Sequence, residues 1–276
     1  MFSRVKLLLT ALIFTAFYSN INVLVGSVKL LDMSHSVVDD MYEGCREKAM
    51  ETVIHSGLLR KELDNSEKFQ KAWNASTQCS FMIPGGIKEH TAALSAFYHG
   101  DKQFIRDVNT QVETMGDNLA DFQFKSFHFL LMDALMLFKP HKCKTGFAIV
   151  DDLKIPKVGS AVRLAGFTMV DTDEELLGDL EDSIVLKIKS CYFVNLEESI
   201  CRNNVDQMLL SPSEVFIVEK VDQISIEDAN YVEVVLGHSS LNSTHNCLMF
   251  PRDAPVSSAH MLVPLITVYS LFSAML

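Results

Sequence analysis

Apolar positions follow a helical period in the first half of this 276-residue chain and a strand period in the second half. In residues 38–53 apolar side chains recur every three or four residues, which predicts a helix with one buried face. The same period predicts helices over 58–73, 87–98, 102–115 and 121–138. Residues 121–138 are the most apolar of these segments, and their ionisable side chains form a narrow stripe of Asp121, Lys125, His128 and Asp133, so we expect the central helix of the core there.

After residue 140 the period becomes two, first in residues 160–170 and then in residues 184–189. Further strands are predicted over 207–210, 215–221, 231–236 and 247–250. Because helices come first and strands second, the pattern favours the α+β class over a parallel α/β sheet. We expect one domain over 27–258, helical in 27–140 and β-rich in 141–250, since no Pro/Gly/Ser linker divides it.

Both ends of the chain are apolar. Residues 7–17 follow the cations Arg4 and Lys6 and are too few to span a bilayer, which predicts a signal peptide over 1–26. Residues 259–276 end the chain with no cation behind them, and Ser257, Ser258 and Ala259 stand at or before their start. This favours a removable signal for a glycosylphosphatidylinositol (GPI) anchor, with a buried C-terminal strand or helix as the alternative. We therefore expect the chain to enter the secretory pathway and to end either on the extracellular face of the plasma membrane, held by the GPI anchor, or as a secreted protein.

Composition limits the classes of binding partner and the cellular compartment that we expect for this chain. The net charge of −11 argues against a nucleic-acid partner. Six cysteines, an even number without Cys-x-x-Cys spacing, predict up to three disulfides and no zinc site. The sequons at Asn74 and Asn242 are glycosylation sites that only the secretory lumen can use. The acidic residues of 171–182 lack the glycine-centred spacing of a calcium loop, so we expect a solvated loop and no bound metal.

Several segments together resemble the vertebrate ecto-ADP-ribosyltransferases, GPI-anchored or secreted enzymes that transfer ADP-ribose from NAD to arginine. The segments, in chain order, are Leu31-Asp32-Met33, Asp39-Asp40-x-Tyr42-x-x-Cys45, residues 122–129, Cys143-Lys144-Thr145, Val162-Arg163-x-x-x-Phe167, Ser190-Cys191 and residues 209–216. The resemblance implies a helical N-terminal part packed on a core of two β-sheets with an NAD cleft. It also implies disulfides Cys45–Cys247 and Cys143–Cys191, which leaves Cys79 and Cys201 as a remaining pair.

The same resemblance locates the expected active site. The family uses an Arg after an aromatic residue, a Ser in a Phe-x-Ser-x-Ser segment, and a Glu-x-Glu pair. The first Glu of that pair orients the arginine substrate and the second holds a ribose hydroxyl. In this sequence the four positions are Ala148, Met169, Val205 and Gln207. A neutral amide cannot stabilise a cationic transition state as a carboxylate does, so no catalytic residue is supported and the chain resembles the catalytically degenerate members.

For several other residues the sequence leaves a functional and a structural interpretation open. Asp206 could replace the missing charge, but strand alternation points it to the opposite face from Gln207 unless a bulge intervenes. Phe147, Arg163 and Phe167 could belong to a residual nucleotide cleft or to ordinary buried strands. His128 could be a general base, but on so apolar a helix we expect a core histidine.

Two function hypotheses follow. The first is an NAD-dependent arginine ADP-ribosyltransferase with NAD as substrate and a protein with an exposed arginine as acceptor. The second, which the residues favour, is a non-catalytic cell-surface protein that recognises another protein. Hydrolysis of NAD with water as acceptor is a third, weaker hypothesis. Only the first Glu of the pair is dispensable for that reaction.

Overall fold

The computed structural model describes residues 29–75, 81–138, 142–150, 154–201, 205–226 and 229–251. The predicted signal peptide and the C-terminal tail lie outside the described residues. The helices are α1 (Arg46–Met50, continued by a π-helical turn Glu51–His55), α2 (Leu58–Asn65), α3 (Glu67–Ala75), α4 (Lys88–His99), α5 (Lys102–Thr114), α6 (Lys125–Leu137) and α7 (Leu196–Ser199). None of these helices is both long enough and apolar enough to cross a bilayer.

Nine strands are described: β1 (Leu30–Leu31), β2 (Lys144–Val150), β3 (Ala161–Leu164), β4 (Thr168–Asp171), β5 (Ile184–Ser190), β6 (Phe193–Asn195), β7 (Gln207–Leu210), β8 (Glu214–Ile226) and β9 (Ala229–Leu241). Helices therefore precede strands, as the α+β prediction requires, apart from the short β1 at the start and the one-turn α7 between β6 and β7. The strand that we predicted over 247–250 is wrong, because those residues form turns and bends.

The described strands form one mixed sheet rather than the two sheets that we expected. Their order is β1-β3-β8-β9-β5-β2-β4-β7-β6. One residue pair, Phe147 with Asp171, joins β2 to β4, whereas seven pairs join β2 to β5. This single-pair connection leaves β4, β7 and β6 as a small lobe of the sheet, whereas the two-sheet expectation came from the family resemblance.

Two large hydrophobic clusters stabilise this arrangement. One consists of strand residues alone, including Ala148, Leu186 and Phe216. The other packs the helices against the opposite strand surface. Helix α6 is its centre, as predicted, and even the two polar positions His128 and Asp133 of its stripe are buried.

The helix predicted over 38–53 begins only at Arg46. Tyr42 and Gly44 have positive φ angles of 57° and 84°, which end any right-handed helix there. Asp40 accepts a hydrogen bond from the backbone N–H of Tyr42 at 2.8 Å and from that of Cys247 at 2.9 Å. Asp39 likewise accepts from the N–H groups of Thr244 and His245. These two carboxylates thus attach the C-terminal segment 242–251 to the helical part.

Disulfides reinforce the same connections. Cys45 is bonded to Cys247 and Cys143 to Cys191, the two pairs that the family resemblance implies. Cys201 is also disulfide-bonded, while Cys79 lies outside the described residues. The first bridge closes a loop with a sequence separation of 202 residues, a constraint on the unfolded chain that favours folding by roughly 4 to 5 kcal/mol in the chain-entropy estimate.

Candidate functional site

A cleft with a volume of about 310 Å³ opens where β2, β6, α7 and the start of β7 meet. Its walls are lined by Lys144, Thr145, Thr172, Asn195, Glu197, Val205, Asp206 and Gln207. Two of the four family positions, Val205 and Gln207, therefore lie in one cavity. We refer to this cavity and its lining residues as the cleft.

Gln207 is tied to the neighbouring strand by its side chain. Its Nε2 donates to Oδ1 of Asp171 at 2.8 Å, and the two residues are paired across β7 and β4. Because a carboxylate only accepts hydrogen bonds, the amide nitrogen must face Asp171, which leaves the carbonyl oxygen of Gln207 for the cleft. The position at which the family resemblance leads us to expect a carboxylate thus carries a neutral amide here.

The carboxyl group of Asp171 is buried beside the cleft. It is only 4% exposed, and burial raises its pKa from the ordinary value, with the Gln207 hydrogen bond opposing the shift and the nearby Asp206 adding to it. We predicted this residue only as part of a loop. Its place on β4 directly opposite Gln207 of β7 gives it a role in the site that the acidic composition of the segment did not reveal.

The remaining family positions are apolar and buried or half-buried. Val205 is 4% exposed and packs in the helix-facing cluster, and Met169 packs against the same cluster. Ala148 is 2% exposed and lies in the cluster of strand residues, on the other side of the sheet. The structure therefore places Val205, Met169 and Gln207 on one side and separates Ala148 from them.

Asp206 lies in the cleft, contrary to our expectation that strand alternation would turn it away. The alternation argument fails because β7 begins only at Gln207, so residues 205–206 precede the regular strand. Thr172 fixes this stretch, since its N–H and its Oγ1 both donate to the backbone oxygen of Asp206, at 2.8 and 3.1 Å. No bulge is needed to bring a carboxylate beside Gln207.

The other cleft walls supply mixed charge. Glu197 projects from the first turn of α7, whose N-terminus is capped by the side chain of Asn195. Lys144 starts β2, and its ammonium lies 5.4 Å from the centre of the Phe193 ring. The residues that line the cavity thus include two acidic residues and one lysine, a composition that favours a cationic group over a diphosphate.

The predicted nucleotide-contacting residues do not meet in the cleft. Arg163 is fully buried and its Nη1 donates to Asp39 at 2.8 Å, while Phe167 is 1% exposed and packs against His128. Both side chains are buried in this structure, Arg163 on β3 and Phe167 in the turn between β3 and β4. Phe147 is half-buried on β2, where the ammonium of Lys187 lies 5.7 Å from its ring centre.

His128 is a core histidine, as we expected. It is fully buried between the hydroxyl of Tyr42, 2.7 Å from Nδ1, and the carbonyl of Val38, 2.9 Å from Nε2. Burial lowers its pKa to about 4, so the ring is neutral at physiological pH. Because Nε2 must donate to the carbonyl oxygen, Nδ1 accepts from the tyrosine, and no lone pair remains for a substrate.

Comparison with known proteins gives the class of molecule. The family model described as NAD:arginine ADP-ribosyltransferase matches residues 31–244. The chain belongs to this family. Ecto-ADP-ribosyltransferase 5 of Bos taurus is 25% identical over 241 residues, covering 80% of this chain and 74% of the relative. T-cell ecto-ADP-ribosyltransferase 1 of Rattus norvegicus is 27% identical, covering 79% and 80%.

Solved structures agree with this assignment. The crystal structure of the eukaryotic mono-ADP-ribosyltransferase ART2.2 matches with a TM-score of 0.61 at 25% identity, covering 79% of this chain and 99% of that chain. A mutant of ART2.2 in complex with NAD matches with the same TM-score and identity. The α+β fold is therefore that of the family.

Proposed function

We propose that this chain is a surface or secreted member of the family that accommodates NAD in the cleft and in which transfer of ADP-ribose to arginine is weak or absent. The observation that carries the proposal is the neutral Gln207, whose amide is held by Asp171 at the position that carries a carboxylate in the family. Removing one preorganised electrostatic group typically costs about 3 to 4 kcal/mol of transition-state stabilisation, or several hundredfold in rate.

Two further substitutions support the same conclusion. Val205 offers no hydrogen bond to orient an incoming guanidinium, and it is buried in the helix-facing cluster. Ala148 supplies no cation for a diphosphate and lies in the cluster of strand residues. Any NAD that binds would therefore depend on Lys144, the hydroxyls of Thr145 and Thr172, and the carbonyl oxygen of Gln207.

The test is incorporation of labelled NAD into an arginine-rich acceptor by the folded ectodomain. We expect incorporation no higher than that of a boiled control, with a catalytically competent relative as the positive control. Val205→Glu combined with Gln207→Glu should raise incorporation, since it restores both family carboxylates. Transfer by the natural chain at the rate of the positive control would contradict the proposal.

The second candidate is a recognition protein that uses the fold without NAD. The composition of the cleft favours it, because two acidic residues and one lysine line its walls. A thermal-shift titration separates the two candidates, since a ligand that binds only the folded state raises its melting temperature. No shift at millimolar NAD would leave recognition of another protein as the function.

The location follows from the sequence and from the kind of relatives found. We infer a signal peptide over 1–26, a GPI signal over 259–276 and glycans on Asn74 and Asn242. Asn74 is exposed in the last turn of α3, which is compatible with a glycan. Release from cells by a phosphatidylinositol-specific phospholipase and a mobility shift after deglycosylation test these assignments. A protein that stays on the cell after phospholipase treatment would exclude the lipid anchor.

A further inference from the structure

We infer that the free edge of β8, over residues 220–226, binds an extended segment of a partner protein in which basic and apolar side chains alternate. This edge belongs to the hairpin that β8 forms with β9. None of the residues that line the cleft lies on that hairpin, so the inference does not depend on whether the cleft binds NAD.

The edge is free because β8 extends beyond its neighbour β3. Strand β3 pairs with β8 only as far as Ile217, and the loop before β3 adds backbone hydrogen bonds only to Val218. On its other side, β8 pairs with β9 as far as Ile226. From residue 220 onward, none of the described residues pairs with the side of β8 that faces away from β9. Alternate residues of an antiparallel strand direct their N–H and C=O groups to opposite neighbours, so half of these groups are available to an added strand.

This edge has few of the features by which proteins prevent strand addition, such as proline or unpaired charged side chains. Residues 220–226 contain no proline, and the ammonium of Lys220, where the bulge of β8 ends, is paired with the carboxylate of Asp222. Ile226 is 55% exposed. Ile224 lies on the same face, since it is two residues away, and it packs against the cluster that contains Tyr231. An added strand therefore gains apolar contact as well as backbone hydrogen bonds.

The segment between β4 and β5 makes the surface beside this face acidic. It is attached to β9, because the hydroxyl of Tyr231 donates to Glu174 at 3.0 Å and the N–H of Asn230 donates to Glu181 at 2.8 Å. Its leucines pack in the same cluster as Ile224, which places the segment on the Ile224 face of the hairpin. Six of its carboxylates have no lysine or arginine partner among the residues that the structure describes: Asp173, Glu174, Glu175, Asp179, Glu181 and Asp182.

This charge determines which occupant fits the edge. The lysines of the adjoining strands, Lys187 and Lys220, are already paired with Glu233 and Asp222, so the acidic segment is not neutralised locally. A second copy of this chain would bring the same carboxylates to the interface, and its net charge of −11 would repel the first copy. A basic partner strand is favoured instead. It would lie about 10 Å, or two strand spacings, from β9, with its basic side chains on the Ile224 face and its apolar side chains on the opposite face.

The experiment uses a labelled octapeptide of alternating lysine and valine, acetylated and amidated at its ends. Fluorescence anisotropy measures its binding to the natural chain, and hydrogen exchange locates the site. We expect the bound peptide to slow amide exchange in residues 220–226, and we expect added salt to weaken binding. The same peptide with alternate backbone nitrogens methylated should not bind, because it cannot donate hydrogen bonds to the edge. A peptide of alternating glutamate and valine should not bind either, since its charge has the wrong sign.

A triple variant tests the acidic segment without disturbing its fold. Glu175→Gln, Asp179→Asn and Glu181→Gln together remove three charges but keep the oxygens that accept hydrogen bonds, and we expect about tenfold weaker binding of the lysine–valine peptide. The matched control removes three exposed carboxylates from the helical part and should bind the peptide as the natural chain does. It combines Glu51→Gln, Asp64→Asn and Glu67→Gln.

Four results would overturn the inference. These are no binding at millimolar peptide, equal binding of the methylated and unmethylated peptides, equal binding by the natural chain and the acidic-segment variant, and exchange protection outside residues 220–226. A dimer of the natural chain in sedimentation that protects the same residues would identify a second copy as the occupant and would also contradict the inference. None of these measurements involves NAD, so their failure is distinguishable from failure of the proposed function.

Discussion

Two regions of the molecule differ in how they use polar residues. One is the contact that attaches segment 242–251 to the helical part, and the other is the cleft. At the attachment, Asp39 and Asp40 are fully buried and accept hydrogen bonds from the chain and, for Asp39, from Arg163. In the cleft, the positions that the resemblance assigns to reacting groups hold Val205 and Gln207, neither of which carries a charge.

This difference shows how fold and chemistry can separate within one chain. A buried ion pair cannot lose one partner without leaving an uncompensated charge, so its residues are constrained as long as the fold is needed. A half-exposed cleft residue such as Gln207 contributes less to stability, so it can change at smaller cost to the fold. Substitutions in the two regions should therefore differ in whether they affect stability or activity.

The largest expected effect is on stability, from Asp39→Ala. This change leaves the Arg163 guanidinium buried without its carboxylate, and Nε and Nη2 of Arg163 already lack a hydrogen-bond partner among the described residues. We expect a loss of about 3 to 5 kcal/mol in the free energy of unfolding, measured by urea denaturation. Asp32→Asn, an exposed carboxylate nearby in sequence, is the control. A loss below about 1 kcal/mol would mean that the ion pair is not needed for the fold.

A second test of the fold-building residues uses pH and His128. The folded-state pKa of about 4 lies below the ordinary 6.5, so the unfolded chain binds a proton that the folded chain does not. The contribution of neutral His128 is complete above pH 6.5 and declines as the pH falls toward 4. The stability difference between the natural chain and His128→Gln should shrink by up to about 3 kcal/mol across that window in denaturation curves. A pH-independent difference would show that the pKa of His128 is not lowered in the folded chain.

Glu214, the first residue of β8, gives a further test of the buried polar residues, and here stability is expected to fall rather than rise with pH. Burial raises its pKa to about 8, while its Oε2 accepts from Ser190 at 2.7 Å and its Oε1 lies 2.8 Å from Nδ1 of His238. The folded state keeps a proton that the unfolded state loses above about pH 4.5, so stability falls as the pH rises from there to about 8. Glu214→Gln mimics the protonated form and should be more stable than the natural chain by about 2 to 3 kcal/mol at pH 7. Destabilisation at that pH would instead indicate an ionised Glu214 paired with cationic His238.

Sequence patterns predicted the regular parts of the fold well. Residues 102–115 and 207–210 were predicted within one residue of α5 and β7, because each has a clear period and a clear boundary. The segment 38–45 was wrong because its apolar spacing is helical while positive φ angles at Tyr42 and Gly44 break the helix. Such a conformation depends on the distant Cys247 N–H that Asp40 accepts, which no local pattern contains.

The site was predicted in part for the same reason. Val205 and Gln207, which the family resemblance assigns to the Glu-x-Glu positions, line one cavity, while their assignment to those positions stays a prediction. We expected Asp206 to point away from the cleft because we applied strand alternation to a residue that precedes β7. The sequence does not show where β7 begins, whereas the hydrogen bonds from Thr172 to the backbone oxygen of Asp206 do. The pairing of Phe147 with Asp171 could not be predicted from the sequence. A single residue pair between β2 and β4 leaves no periodic pattern of apolar residues that would indicate it.

The smallest expected effect on stability comes from the cleft. Gln207→Ala removes one hydrogen bond to Asp171 from a half-exposed side chain, so we expect a loss of about 1 kcal/mol in the free energy of unfolding, well below that of Asp39→Ala. Urea denaturation measures the loss, and NAD binding by thermal shift should weaken in the same variant because the carbonyl oxygen is gone. A destabilisation as large as that of Asp39→Ala would mean that the Asp171–Gln207 pair is itself part of the scaffold. In that case the glutamine would be retained for stability, and its neutrality would say nothing about the loss of chemistry in the cleft.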